Sequence, residues 1–296
     1  MRAAAASRGR RRAFLVLLAV LAGHVDATIA QEIAVELRSR SLQPGEAVVV
    51  TVSTPADTGT VAVAAFDAQW PTVRIGETRW RALVGIDLDR KPGTYPLTVD
   101  TTGTRELHAH EALAVRPKRF RRRALTVAPD FVNPPPELLA RITGDTEFLN
   151  MVYRHSTDSA AWLPGFTRPV PDRANSSFGT RSVFNGQPRN PHAGTDFLSA
   201  AGTPVHAPAG GRVVAARDLF FTGNTVVIDH GWGVFSMLAH LSRLDVIEGT
   251  AVSEGDIVGL VGATGRVTGP HLHWALRIGA ARVDPLSALA VLGTSR

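Results

Sequence analysis

Six of the ten histidines lie between residues 192 and 273, and their spacing suits metal chemistry. In NPHAGTDF, His192 and Asp196 flank Gly194; SMLAHLSRL carries His240; TGPHLHWALRI carries His271 and His273 one residue apart. On a strand, side chains at i and i+2 share a face, so His271 and His273 point together while Leu272 and Trp274 point the other way. A zinc site that acts on a substrate takes three protein ligands from His and carboxylate and keeps a fourth position open. His192, Asp196 and one histidine of the pair supply such a set. His240 and the other member of the pair remain for proton transfer, which suits a side chain titrating near neutrality. There is no cysteine in the chain, which removes thiolates as ligands or nucleophiles and disulfides as staples.

The elements that must position these groups are β-rich. From residue 171 onward, short apolar runs such as GNTVVIDHGWGVFSMLAHLS are punctuated by glycine, the texture of mostly antiparallel strands with tight turns. Glycines 249, 255, 259, 262, 265 and 269 precede neither Gly-Lys-Ser/Thr nor a helical pattern, so they are read as turn residues rather than a phosphate loop. Upstream, IAVELRS, EAVVVTVST, GTVAVAAF, RALVGIDL and GTYPLTVDT, with turns at LQPGE and RKPGTY, predict a β-sandwich of immunoglobulin-like type over residues 31–127. His108 and His110 form a second H-x-H there, read as strand residues on a solvated face. RPKRFRRR, residues 116–123, packs six basic side chains into eight positions. It is read as a solvated strand or linker; its functional reading is contact with an anionic polymer. Residues 128–170 are expected to be a helical linker. A helix begins at the prolines 134–136 and carries Leu138, Leu139 and Ile142, and a second short helix from Thr146 to Tyr153 turns Phe148, Leu149 and Val152 inward.

The N-terminus has the grammar of a signal peptide over residues 1–30. Arg8, Arg10, Arg11 and Arg12 precede the apolar run AFLVLLAVLAG, and small residues follow. That run is far short of the roughly 20 residues a membrane helix needs, so no transmembrane helix is expected once the leader is removed. RRAFL also resembles a twin-arginine export signal. The formal charge is +6, but five Arg and one Asp in residues 1–30 contribute +4, leaving +2 for the rest. A basic balance that comes mainly from a leader makes no case for nucleic-acid binding.

HAGTDF, GTPVHAPAGGRVV, GNTVVIDHG, AHLS, VSEGDIVGLVGATG and TGPHLHW, in this order, resemble the lysostaphin-type zinc metallopeptidases that cut peptidoglycan cross-bridges. SSFGTRSVFNGQPRNPH resembles that family's entry segment, and the likeness covers about 171–286 of an expected metallopeptidase domain at 171–296. It implies one Zn²⁺ per chain on His192, Asp196 and His273, and catalytic roles for His240 and His271. It also implies an exported or periplasmic enzyme that hydrolyses peptide cross-links of peptidoglycan. Arg181 and Asn185, in the entry segment, are candidates to line the substrate groove. His206, His230 and His155 are read as structural or solvent-facing, and Asp284 as a turn or cap. Leu238 and Ala275 depart from residues common in the family, which bears on groove shape. The alternative reading is a catalytically silent peptidoglycan-binding module that activates a separate amidase.

Overall fold

The computed structural model describes residues 33–126, 132–175 and 177–293; the expected leader lies outside them. Eight strands form the first module: β1 (Ala34–Ser39), β2 (Ala47–Ser53), β3 (Thr58–Ala65), β4 (Ala68–Trp70), β5 (Thr72–Arg74), β6 (Arg79–Gly85), β7 (Gly93–Gly103) and β8 (His108–Val115). They pair antiparallel in two four-stranded sheets, ordered β1-β2-β6-β5 and β4-β3-β7-β8. The sequence of β2, AVVVTVS, shows no alternation, and all but its last residue is buried. Its valines belong to one apolar cluster with Val63 and Leu97 of the opposing sheet, Ala288 and Val291 of the C-terminal helix, and Trp274 and Ile278 of the second module. A strand covered on both faces has no solvent side to mark with polar residues.

The connecting region departs from expectation. The tail of the basic run is a strand, β9 (Arg122–Leu125), and the next element is one 17-residue helix, α1 (Pro136–Val152), rather than two short ones. Gly144, near the expected break, faces open space, and neither a proline nor a cap ends the helix there. An exposed glycine costs a helix only about 1 kcal/mol. Phe148, Leu149 and Val152 anchor the C-terminal half on a cluster with Ala215, Val227 and Phe235, as their spacing predicted. No helix among the described residues is long and apolar enough to cross a membrane.

The second module begins with β10 (Arg181–Phe184), which runs parallel to β9 and turns back into β11 (Gln187–Pro188). A nine-stranded sheet follows: β12 (Gly194–Phe197), β13 (Pro204–His206), β14 (Gly211–Leu219), β15 (Gly223–Asp229), β16 (Val234–Leu244), β17 (Ala251–Val252), β18 (Ile257–Val261), β19 (Leu272–Ile278) and β20 (Ala281–Val283). Every pairing in it is antiparallel, and its main path runs β12-β19-β16-β15-β14-β17. The chain ends its described course in α2 (Pro285–Leu292), capped by the Asp284 carboxylate, which accepts the Leu286 N–H. The expected cap is therefore present, and mainly antiparallel β is the observed class.

Polar ties reinforce the shared core. Arg282 donates to Asp87 through Nη2 at 2.7 Å and to Asp89 at 2.9 Å. Arg40 Nη2 bridges Glu46 and Asp284, each at 2.7 Å, and Lys118 donates to Glu46 at 2.9 Å. Burial pushes the Glu46 carboxyl up, but hydrogen bonds and charge from Arg40 and Lys118 outweigh it and hold the group below the usual carboxylate range. A lowered folded value means this ionised form stabilises the protein above the ordinary carboxylate pKa, and the contribution disappears as pH falls through the lowered value. Arg40→Ala is expected to cost about 3 kcal/mol in urea unfolding at neutral pH, because it strips one partner from two buried carboxylates. Glu46→Gln should cost most at neutral pH and progressively less in acid.

Candidate metal centre

The antiparallel register of β12 and β19 sets Asp196 directly opposite His273. Leu272 and Trp274 are fully buried on the other face of β19, so the alternation read from the sequence holds. His192 precedes β12 and is held by its own loop: its N–H donates to the Thr180 carbonyl at 3.0 Å and its Nδ1 to the Ser177 carbonyl at 3.1 Å. A carbonyl can only accept, so Nδ1 carries a proton, and in the neutral ring Nε2 offers its lone pair inward.

That lone pair lies 2.9 Å from His273 Nδ1 and 3.1 Å from Asp196 Oδ1, and His273 Nδ1 is 3.0 Å from the same oxygen. His192 Nε2 and Asp196 Oδ1 are thus two acceptors with at most the His273 Nδ1 proton between them. A cation at this point satisfies all three donor atoms together, and the three residues form a group able to hold a metal ion. Burial pushes the Asp196 carboxyl up, yet the pull of the adjoining His192 and His273 imidazoles holds it far below the usual range. The carboxylate is ionised throughout the physiological range. Burial, helped by the neighbouring His192 and His271, also pushes His273 down, against the pull of Asp196.

His240 reaches the same place by a local irregularity. The register of β15 and β16 slips between the pairs Val226↔Leu238 and Asn224↔Leu241, and His240 adopts φ +66°, a left-handed conformation that costs a non-glycine residue energy. Such a bulge re-aims a side chain out of strand alternation. His240 Nδ1 donates to the Thr264 carbonyl at 2.9 Å, and its ring lies 4.8 Å from that of His271 and 5.8 Å from that of His273. His271 Nδ1 donates to the Gly269 carbonyl at 2.9 Å, leaving Nε2 at 3.8 Å from Asp196 Oδ1. Burial, with the neighbouring His273, pushes His240 down to about 3, so the ring is neutral at pH 7. His192, His240 and His271 share one device, an Nδ1 proton pinned to a backbone carbonyl. The three carbonyls belong to Ser177, Thr264 and Gly269, which no residue-type signal in the sequence singles out.

The remaining candidates fall outside this cluster. Both ring nitrogens of fully buried His230 are engaged, by the Gly210 carbonyl at 2.7 Å and Ser236 Oγ at 2.8 Å, and burial pushes its pKa down to about 4. His206 bonds the Gly255 carbonyl, His155 the Met151 carbonyl, and exposed His108 pairs with Asp100. Arg181 lies on β10 and pairs with Asp89 of the first module at 2.9 Å. Asn185 occupies the left-handed position of the turn between β10 and β11 with φ +48°. Leu238 is fully buried beside its register partner Trp274, so this departure sits in the core. Of the six glycines expected at unusual angles, 249, 255 and 265 have positive φ. Gly259 and Gly262 are required instead by close backbone approach, to Arg243 and Ser242. Gly194 is the glycine the site depends on. A Cβ there would lie 2.5 Å from His273 Cε1 and 2.7 Å from the Trp274 carbonyl oxygen. Gly194→Ala is expected to weaken metal retention about ten- to a hundredfold in chelator competition, since it displaces a ligand ring, with the circular dichroism spectrum preserved.

Comparison with known proteins shows the family. Residues 190–285 match the model of peptidase family M23. A crystal structure assigned to peptidase M23 from Pseudomonas aeruginosa is 33% identical with a TM-score of 0.65, covering 86% of this chain and 96% of that one. The peptidoglycan DD-endopeptidase ShyA of Vibrio cholerae is 41% identical over 124 residues, 42% of this chain and 29% of that protein. The DD-carboxypeptidase/endopeptidase Mpg of Neisseria meningitidis is 44% identical over 96 residues, 32% of this chain and 22% of that protein. The chain thus matches less than a third of the length of these two curated relatives.

Proposed function

The chain belongs to peptidase family M23, and on that premise we propose that it is an exported zinc endopeptidase hydrolysing peptide cross-links of bacterial peptidoglycan. One observation carries the reading: His192, Asp196 and His273 converge within 3.1 Å of one another with two more imidazoles alongside. In this reading His192, Asp196 and His273 hold one zinc ion. Zinc there supplies Lewis acidity, polarising a carbonyl and making water nucleophilic at neutral pH. Asp196 contributes a fixed negative charge. His240 and His271, whose rings lie beside the cluster, would share proton transfer, taking the proton that water loses and returning it to the leaving amine. The backbone carbonyls at Thr264 and Gly269 keep both rings in the tautomer this requires.

The names of ShyA and Mpg support peptidoglycan as the substrate class and a DD bond as the cleaved link. Export is supported by the leader-like residues 1–30. The two-sheet order of residues 33–115 supports the immunoglobulin-like reading of the first module. A silent amidase activator would have no use for a complete ligand set and two oriented histidines, so that reading is the weaker one.

Purified protein should contain one zinc per chain. His273→Ala should lose both zinc and hydrolysis of cross-linked sacculi. His271→Ala should keep zinc, read by metal analysis, while hydrolysis falls at least about a hundredfold. A fully active His273→Ala variant would sink the ligand assignment. Zinc-loaded wild type that leaves sacculi uncut would favour the activator reading.

A further inference from the structure

The basic run at 116–123 is built into the fold. The Arg116 N–H donates to the Leu42 carbonyl at 2.8 Å, Phe120 packs edge-on against Phe178, and β9 adds a parallel strand to β10. Its cations thereby meet those of the β6–β7 loop and of β10 around an open cavity of about 490 Å³. Arg90, Lys91, Lys118, Arg119, Arg122 and Arg181 line it, against a single carboxylate, Asp89. Asp89 is already shared between Arg181 and Arg282, both at 2.9 Å. Lys118 is held by Glu46 and Arg90 faces Asp67 at 3.6 Å. The exposed side chains of Lys91, Arg119 and Arg122 make no hydrogen bond or ion pair among the described residues.

This concentration is costly to the fold alone. Arg122 and Arg181 are register partners on adjacent strands, an arrangement of like charges that destabilises a sheet. Outside residues 1–30 the chain is formally only +2, so six cations around one concavity are a strongly polarised feature, which focuses positive potential. The complement is a ligand with several closely spaced anionic groups, which arginine forks bind bidentately. The cavity is also tied to the metal centre. Arg181 directly follows Thr180, whose carbonyl accepts the His192 N–H at 3.0 Å.

We infer that this cavity is a substrate exosite that binds carboxylates of the wall peptide away from the scissile bond. The inference rests on the peptidoglycan reading above. Stem peptides of the wall carry glutamyl and diaminopimelyl carboxylates at close spacing, and the cations of the β6–β7 loop, the basic run and β9 match them in a cavity whose wall includes Arg181, next to the segment that holds His192.

The test compares the zinc-loaded full chain with the combined variant Lys91→Gln, Arg119→Gln and Arg122→Gln. Binding, KM and kcat are measured with a cross-linked muropeptide bearing free carboxylates and with the same muropeptide amidated on them. Wild type is expected to bind the free form about tenfold more tightly. The variant should lose that preference, with the loss falling on KM rather than kcat, and about 0.5 M salt should suppress it in wild type. Equal binding of the two forms by wild type, or a preference that survives in the variant, overturns the inference. So does variant-sensitive binding of polyphosphate without a carboxylate preference, which would assign the cavity to a phosphate polymer. A wild type that prefers the free form through these residues but cuts neither form leaves the exosite standing and removes the endopeptidase reading.

Discussion

The antiparallel register between β12 and β19 is the constraint on which the centre depends, because it sets Asp196 against His273. A slip of one residue would turn His271 and His273 into the core and bring Leu272 and Trp274 to the face that carries Asp196. Burial makes that slip prohibitive: Leu272, Trp274 and Leu276 are all fully buried on the opposite face. The apolar residues of β19 therefore do more than fill the core. Their packing holds two imidazoles in register with a carboxylate that belongs to another part of the chain.

That register is in turn supported by the first module. Thr195, fully buried between Gly194 and Asp196, donates its hydroxyl to Asp284 at 3.0 Å, and the same carboxylate accepts from Arg40 at 2.7 Å. Asp284 thus caps α2, receives an arginine that follows β1 more than two hundred residues away, and steadies the strand bearing Asp196. The Ala47 N–H donates to Ser287 Oγ at 2.8 Å, closing a second link between β2 and α2. With one apolar cluster running through both modules, the first module is structurally part of the scaffold that carries the histidine cluster rather than a tethered appendage.

The same junction explains how a near-neutral chain displays a concentrated positive surface. Carboxylates that would neutralise it are drawn into the interior ties: Glu46 to Arg40 and Lys118, Asp87 to Arg282. What remains outward on β9 and the β6–β7 loop is mostly cationic. The ties that fasten the modules thus leave the cations of this face with few nearby carboxylates, and the face lies beside the segment that positions His192.

The sequence by itself determined which residues could form the centre. Histidine and aspartate types, the i, i+2 pair and the glycine-broken β texture point to His192, Asp196, His240, His271 and His273 without a structure. It also determined the antiparallel β class, because strand periodicity and turn residues are local properties. Other features are tertiary. The bulge that turns His240 inward follows from pairing with β15, and the carbonyls that fix the tautomers come from loops whose side chains carry no signal. The single helix at 136–152 survives an internal glycine because its far half packs on a sheet formed later in the chain. The basic run at 116–123 is a charge cluster in sequence, but only the parallel pairing of β9 with β10 gives it a concave shape and a place. Local chemistry is written in residue types, whereas the direction in which each group points is decided by contacts between segments far apart in the chain.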